Sequence, residues 1–186
     1  MPKIAEIENT PNPNAKKFIL KEPVTWGVTC SYENIEEAKV DELASALFDI
    51  EHVSNVFYVD KWITVTQDGG ADWAELVRKV AVPIRSAATA VAQTEVILEA
   101  ATSAMADLSP KDQKRFDRIS TLLDDQIRPY LKSDGGDLQV IGLVGNQLSV
   151  HYQGACGSCP SAISGTLRGI ENLVRTIEPG MNVLAV

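Results

Sequence analysis

At 186 residues, 45% of them hydrophobic and 6% aromatic, the chain holds enough material for one medium domain or two small ones with modest cores. Its formal charge of −8 sits in residues 1–110, with nine Lys and Arg against seventeen Asp and Glu, whereas 111–186 hold eight of each. Neither part has the basic surplus that neutralising phosphates demands, and no apolar run approaches the ~20 residues of a membrane span, so no nucleic acid and no membrane is expected as a partner. Met1-Pro2-Lys3-Ile4-Ala5-Glu6 is neither a basic apolar leader nor an Arg-rich, acid-poor transit peptide, and a cytoplasmic location is expected.

In chain order, 3–7 predicts a short strand, and Pro11-Asn12-Pro13-Asn14 a turn, because each proline disfavours helix at the residue before it. Residues 16–21 predict a strand with Phe18 and Leu20 on one face. Val40, Leu43, Leu47 and Ile50 recur at helical spacing and predict one amphipathic helix over 34–50. Strands over 53–59 and 62–66 form a hairpin about Asp60-Lys61, Gly69-Gly70 breaks the chain, and Trp73, Leu76, Val77 and Val80 mark a helix. From 86 to 109 the chain is Ala-rich and lacks glycine, as a connector would be.

Beyond it, Phe116, Ile119, Leu123, Ile127 and Tyr130 trace an amphipathic helix that Pro129 kinks or stops. Asp134-Gly135-Gly136-Asp137 reads as a turn, its glycines taking positive φ and its aspartates bonding neighbouring amides. Residues 138–144 and 147–153 form a hairpin across Gly145-Asn146. Leu148, Val150 and Tyr152 lie on its buried face, and His151 on the polar one. Ile163, Leu167, Ile170, Val174 and Ile177 predict a second helix, and 182–186 a closing strand. The fold class is α+β: two small α+β domains, 1–86 and 113–186, joined by a connector at 87–112.

The chemistry concentrates in Gly154-Ala155-Cys156-Gly157-Ser158-Cys159-Pro160, at a strand-to-helix loop. Two thiols three residues apart face one metal centre but supply half of a four-thiolate site. The one further cysteine, Cys30, lies far upstream, so the simplest complete site takes a pair from each of two chains. Pro160 suits a first helical turn, whose positive end would favour thiolates. Gly157 allows a tight loop, and Ser158 offers a hydroxyl donor. Cys-x-x-Cys ahead of a helix is also the thioredoxin arrangement, although no aromatic immediately precedes Cys156 and the context is hairpin-then-helix. A half zinc ribbon completed by a dimer is the third reading.

Together with Ile127-Arg128-Pro129-Tyr130-Leu131 and the Asp-Gly-Gly turn, Gln153-Gly154-Ala155-Cys156, Cys159-Pro160-Ser161 and Gly169-Ile170-Glu171 closely resemble the C-terminal domain of NifU and the Nfu family. Thr10-Pro11-Asn12-Pro13-Asn14 with Lys17-Phe18, Leu47-Phe48-Asp49-Ile50-Glu51-His52-Val53 and Trp62-Ile63-Thr64-Val65 are similar to the Nfu N-terminal domain. The resemblance implies an iron–sulfur cluster carrier or scaffold. A homodimer bridges one cluster, more often [4Fe–4S] than [2Fe–2S], through Cys156 and Cys159 of each chain. By the same resemblance it is expected to take the cluster from upstream donors and pass it to apo-protein acceptors, with no enzymatic activity expected.

The remaining candidates have plainer readings. Cys30 is expected as a core or partly exposed thiol, since free cysteines are among the most buried residues. His151 is expected as a solvated strand residue, and His52 as a surface or helix-end group. Glu33, Glu36, Glu37, Asp41 and Glu42 form an acidic face at the first helix's N-terminal half.

Overall fold

The computed structural model describes residues 1–90, 110–159 and 165–186, and the chain divides into two units, Met1–Thr94 and Glu95–Val186. The first unit is built on five strands: β1 (Ile4–Asn9), β2 (Ala15–Leu20), β3 (Thr29–Tyr32), β4 (Val53–Val59) and β5 (Trp62–Gln67). They pair antiparallel in the order β1-β2-β5-β4-β3. Its helices are α1 (Ile35–Ala38), α2 (Glu42–Phe48) and α3 (Trp73–Ser86). Phe18, Val56, Tyr58, Ile63 and Val65 of the sheet are buried with Leu47 of α2 and Leu76, Val80 and Ile84 of α3. This is the period-two face of a sheet meeting the period-3.6 stripe of helices.

Two details differ from the sequence reading. The strand containing Cys30 was not expected, and the single helix over 34–50 is two. Lys39 and Val40 fall between α1 and α2, and Val40 is 88% exposed instead of core-facing. The break has a local cause. Asn34 accepts from the Glu37 amide at 3.0 Å, and Asp41 from the Ala44 amide at 2.7 Å, so each helix has its own N-cap. Of the acidic residues here, Glu37 accepts from the Glu33 amide, just ahead of the N-cap, at 2.9 Å, and Glu36 pairs with Lys39.

The second unit contains α4 (Pro110–Gln126), α5 (Arg128–Ser133), α6 (Leu167–Arg175), β6 (Gly136–Val144), β7 (Gln147–Gly154) and β8 (Asn182–Ala185). The sheet order is β6-β7-β8, with β6 and β7 antiparallel and β8 parallel to β7. Ile119, Leu123, Leu131, Leu138, Leu148, Val150, Ile170, Val174 and Met181 fill the core. The chain interrupts its helix at Ile127, and Pro129 falls in the first turn of α5, where its missing N–H leaves no bond broken. This break turns Tyr130 out to solvent at 73% exposure, against the expectation that it continues the apolar stripe. Arg115 of α4 donates to Glu178 at 2.9 Å and to the Gly145 carbonyl at 2.9 Å. Arg118 also pairs with Glu178, so α4 is tied both to the chain after α6 and to the hairpin turn.

The connector expected over 87–112 falls mostly on 91–109, outside the described residues, and its last three residues already belong to α4. Ile163 and Pro160, expected in the last helix, also lie outside them; the described helix begins at Leu167. Among the described residues no helix is long and apolar enough to cross a membrane.

Candidate metal centre

The site is made where β7 ends and β6 begins. The register sets Gly136 opposite Gly154, Asp137 opposite Gln153 and Leu138 opposite Tyr152. The Asp-Gly-Gly-Asp turn is thereby fixed against the chain that carries the cysteines. Gly135 has φ +85° and Gly154 φ +65°, conformations L side chains rarely adopt. The Ala155 amide donates to the Gly135 carbonyl at 3.1 Å, and the Gly157 amide to Gly154 at 3.2 Å. The Cys159 amide approaches the Cys156 carbonyl at 3.4 Å, drawing the loop into a turn.

Gly136 was expected to supply backbone freedom but supplies space. A Cβ there would stand 2.5 Å from the Gln153 carbonyl oxygen and 2.7 Å from Cys156 Sγ. At Gly157, a Cβ would come 3.1 Å from the Tyr152 oxygen. The thiols are therefore held by a closely approaching backbone.

Both cysteines are free thiols on one short loop, and they are not on an exposed surface. Cys156 is 4% and Cys159 5% exposed, while Gly157 and Ser158 at the loop tip are open to solvent. Burial pushes the Cys156 thiol up to about 12, and the negative charges of Asp134, Cys159 and Asp137 act in the same direction. In the empty protein this site holds a thiol, against the expectation that a helix dipole favours the thiolate. The helix start on which that expectation rested lies outside the described residues.

The sequence reading missed the ion pair beneath the site. Asp137, expected as a turn former, is 1% exposed and lies 3.3 Å from Arg128 Nη1 through Oδ1. Its Oδ1 also accepts from the Leu138 amide at 2.8 Å. Arg128 reaches Asp124 as well, with Nε 2.5 Å from Oδ1, tying α4, the start of α5 and β6 together. The signal was present: an arginine beside a helix-breaking proline, nine residues before an aspartate in a strand of small and apolar residues.

Tyr152 is the second residue missed. It is 4% exposed, and its hydroxyl finds no hydrogen-bond partner among the described residues. Burial, then the charge of Cys156, pushes its hydroxyl up to about 12. The other candidates stand apart from the cysteine loop. Cys30 is buried in the first unit's core, beside Tyr58 across the β3–β4 pair. His151 Nδ1 lies 2.7 Å from the main-chain oxygen of Val186. His52, with φ 74°, sets Nδ1 3.1 Å from Asp68 Oδ1.

Residues 4–90 match the family model described as scaffold protein Nfu/NifU N terminal, and 119–183 match the NifU-like domain. A curated relative from Drosophila erecta, the NFU1 iron-sulfur cluster scaffold homolog, mitochondrial, is 31% identical over 175 residues, covering 94% of this chain and 61% of that protein. The Drosophila willistoni protein of the same name is 30% identical over 175 residues, covering 94% and 60%. Among solved structures, protein SAV1430 from Staphylococcus aureus aligns with 44% of this chain and 98% of its own, at 26% identity and a TM-score of 0.39.

The chain belongs to the Nfu family and has an α+β fold with both Nfu domains. It spans about 61% of the length of the curated relatives it matches. The expected cytoplasmic location is corrected here, because those relatives are named as mitochondrial proteins. The expectation rested on the character of six opening residues, and a targeting segment leaves no trace in the packing or chemistry of a folded domain.

Proposed function

We propose that this protein is an iron–sulfur cluster carrier. Two copies each present Cys156 and Cys159 to one cluster, [4Fe–4S] in preference to [2Fe–2S], receive it from upstream donors, and pass it to apo-proteins. The observation that carries the reading is the pair of thiols held in one short loop of a NifU-like domain. Among the described residues, no group of three or more His, Cys, Asp or Glu side chains could hold a metal ion. Two thiolates from one chain leave half a four-thiolate site, and a second copy supplies the rest. Cluster handling rests on residues 113–186, partner recognition on 1–86, and 87–112 connects them.

The buried position of the sulfurs sets an order of events. The loop turns its thiols outward and loses their protons as iron binds, so loading releases protons. Once the cluster is shared at an interface, an incoming acceptor thiol replaces one cysteine at a time. Ligand exchange of this kind needs no catalytic base, which makes the protein a carrier instead of an enzyme. A thiol–disulfide oxidoreductase would need Cys156 as an accessible thiolate, and its burial and raised pKa argue against that role.

Native mass spectrometry after anaerobic reconstitution with iron and sulfide tests the reading. The expected species is a dimer with one added cluster, lost equally in Cys156→Ala and Cys159→Ala. A metal-free monomer, or a defect confined to Cys156 with retained disulfide reductase activity, would overturn it.

A further inference from the structure

Among the described residues of the second unit, Tyr130 and Val144 are the most open large apolar side chains, 73% and 81% exposed. They stand in different places relative to the cysteine loop. The Tyr130 carbonyl accepts from the Asp134 amide at 3.0 Å, and the Gly135 carbonyl accepts from the Ala155 amide at 3.1 Å. Two hydrogen bonds and two residues of chain thus separate the Tyr130 carbonyl from the Ala155 amide, no more than about 14 Å. Val144 is at the other end of the hairpin, opposite Gln147, and β7 puts about 23 Å of strand between it and Gly154.

A second copy that brings its own cysteine pair to this loop must cover the surface around it. A standard interface takes about 800 Å² from each partner, a patch of about 16 Å radius. Tyr130 falls inside such a patch centred on the loop, and Val144 falls outside it. The face around Tyr130 also suits contact with an identical surface. Pro129, Tyr130, Lys132 and Ser133 are exposed along α5. Beside them Asp124, Arg128, Pro129 and Lys132 line an open cleft of about 520 Å³. In a two-fold contact each feature of one copy meets a different feature of the other. A face that offers a ring, a cleft and charges of both signs, Lys132 and Asp124, is therefore complementary to itself.

We propose that Tyr130 anchors the contact between the two copies that share a cluster, its ring seated in the α4–α5 cleft of the partner subunit. This rests on the carrier reading above. Leu131 fixes α5 in the core and Arg128 ties it to Asp137, so the ring is presented from a held element and gives contact area at small entropic cost. Tyrosine is among the residues that most often carry binding energy, and a two-fold axis makes each one count twice.

Tyr130→Ala tests this in the full chain, with Val144→Ala as the similarly exposed control. Metal-free, both variants are expected to unfold in urea close to the wild-type midpoint. After anaerobic reconstitution with iron and sulfide, the Tyr130→Ala dimer should dissociate at about tenfold higher concentration than the wild type in sedimentation. It should also lose iron to a chelator several-fold faster. Val144→Ala should match the wild type in both. Equal dissociation of the Tyr130→Ala and wild-type dimers would overturn the assignment alone. So would a Tyr130→Ala protein that keeps its dimer and cluster and is slowed only in transfer to an apo-acceptor, which would move the tyrosine to the acceptor's contact. A wild-type protein that takes up no cluster, or holds one as a monomer, would overturn the carrier reading and this assignment with it.

Discussion

Gly136 and Cys156 are packed so closely that a single methyl group between them would stand 2.7 Å from the sulfur. One glycine thus joins the start of β6 to the cysteine loop, and the approach involves backbone on both sides, since the Gln153 carbonyl is nearer still at 2.5 Å. Gly136→Ala is expected to cost about 1–3 kcal/mol, the usual range for overpacking a closed site. It should also reduce cluster loading. Gly142→Ala, in the same strand with nothing within 4 Å of the added Cβ, is the control. Urea denaturation of the two metal-free variants checks this, and equal midpoints would refute it.

Asp137 beneath the site depends on Arg128. The carboxylate is 1% exposed, and Arg128 is its charge partner. Arg128→Met removes that partner and leaves a buried negative charge, at a cost of about 2–4 kcal/mol after allowing for the partly open arginine. Asp137→Asn removes the charge along with its need for a partner and should cost less. If chemical denaturation ranks the two the other way, the pair is not what holds the β6 start in place.

The cysteine pair, the hairpin and the second unit's apolar stripes were legible because each rests on local spacing. Leu148, Val150 and Tyr152 alternate, and Ile119 and Leu123 sit one helical turn apart. What stayed hidden depends on contacts between segments distant in sequence. Arg128 and Asp137 meet because α5 folds back on β6, and Gly136 is constrained by a sulfur twenty residues later. The split at Val40 had a visible cue in Asn34 and Asp41, two caps seven residues apart, but the hydrophobic period ran through it and masked the second helix start. Tyr152 was read for its place on the buried face, and a strand pattern carries no information about whether a buried hydroxyl finds a partner.

Asp41 has two tasks in the first unit. Its carboxylate caps α2 through the Ala44 amide, and it also accepts from the hydroxyl of Tyr58, a residue 2% exposed in β4. Asp41→Ala should therefore exceed the roughly 1 kcal/mol of a cap alone, because the buried tyrosine hydroxyl exchanges a carboxylate acceptor for the weaker ones of Cys30 and Tyr32. A double-mutant cycle with Tyr58→Phe measures the second part. Coupling indistinguishable from zero would show that Asp41 acts as a cap only.

The last prediction follows from the direction in which burial moves Cys156. Its thiol is raised from 9.0 to about 12, so the folded chain keeps a proton that the unfolded chain gives up near pH 9. With more protons bound in the native state, stability must fall as pH rises. The contribution is complete below pH 9 and is lost between about 9 and 12, on the order of a few kcal/mol across the window. Tyr152, raised from 10.0 to about 12, adds a loss of the same sign above pH 10. Burial also raises the Cys30 thiol from 9.0, which adds a loss of the same sign from pH 9 upward, so it is the difference between wild type and Cys156→Ala that reports Cys156. Urea midpoints of the metal-free wild type should drop from about pH 9 to 10, and those of Cys156→Ala should drop less. Iodoacetamide should correspondingly label Cys156 slowly at pH 7.5 in the folded chain and rapidly in urea. Parallel stability profiles in the two proteins would mean that the thiol is not held protonated by its burial, and the proton release assigned to loading would lose its source.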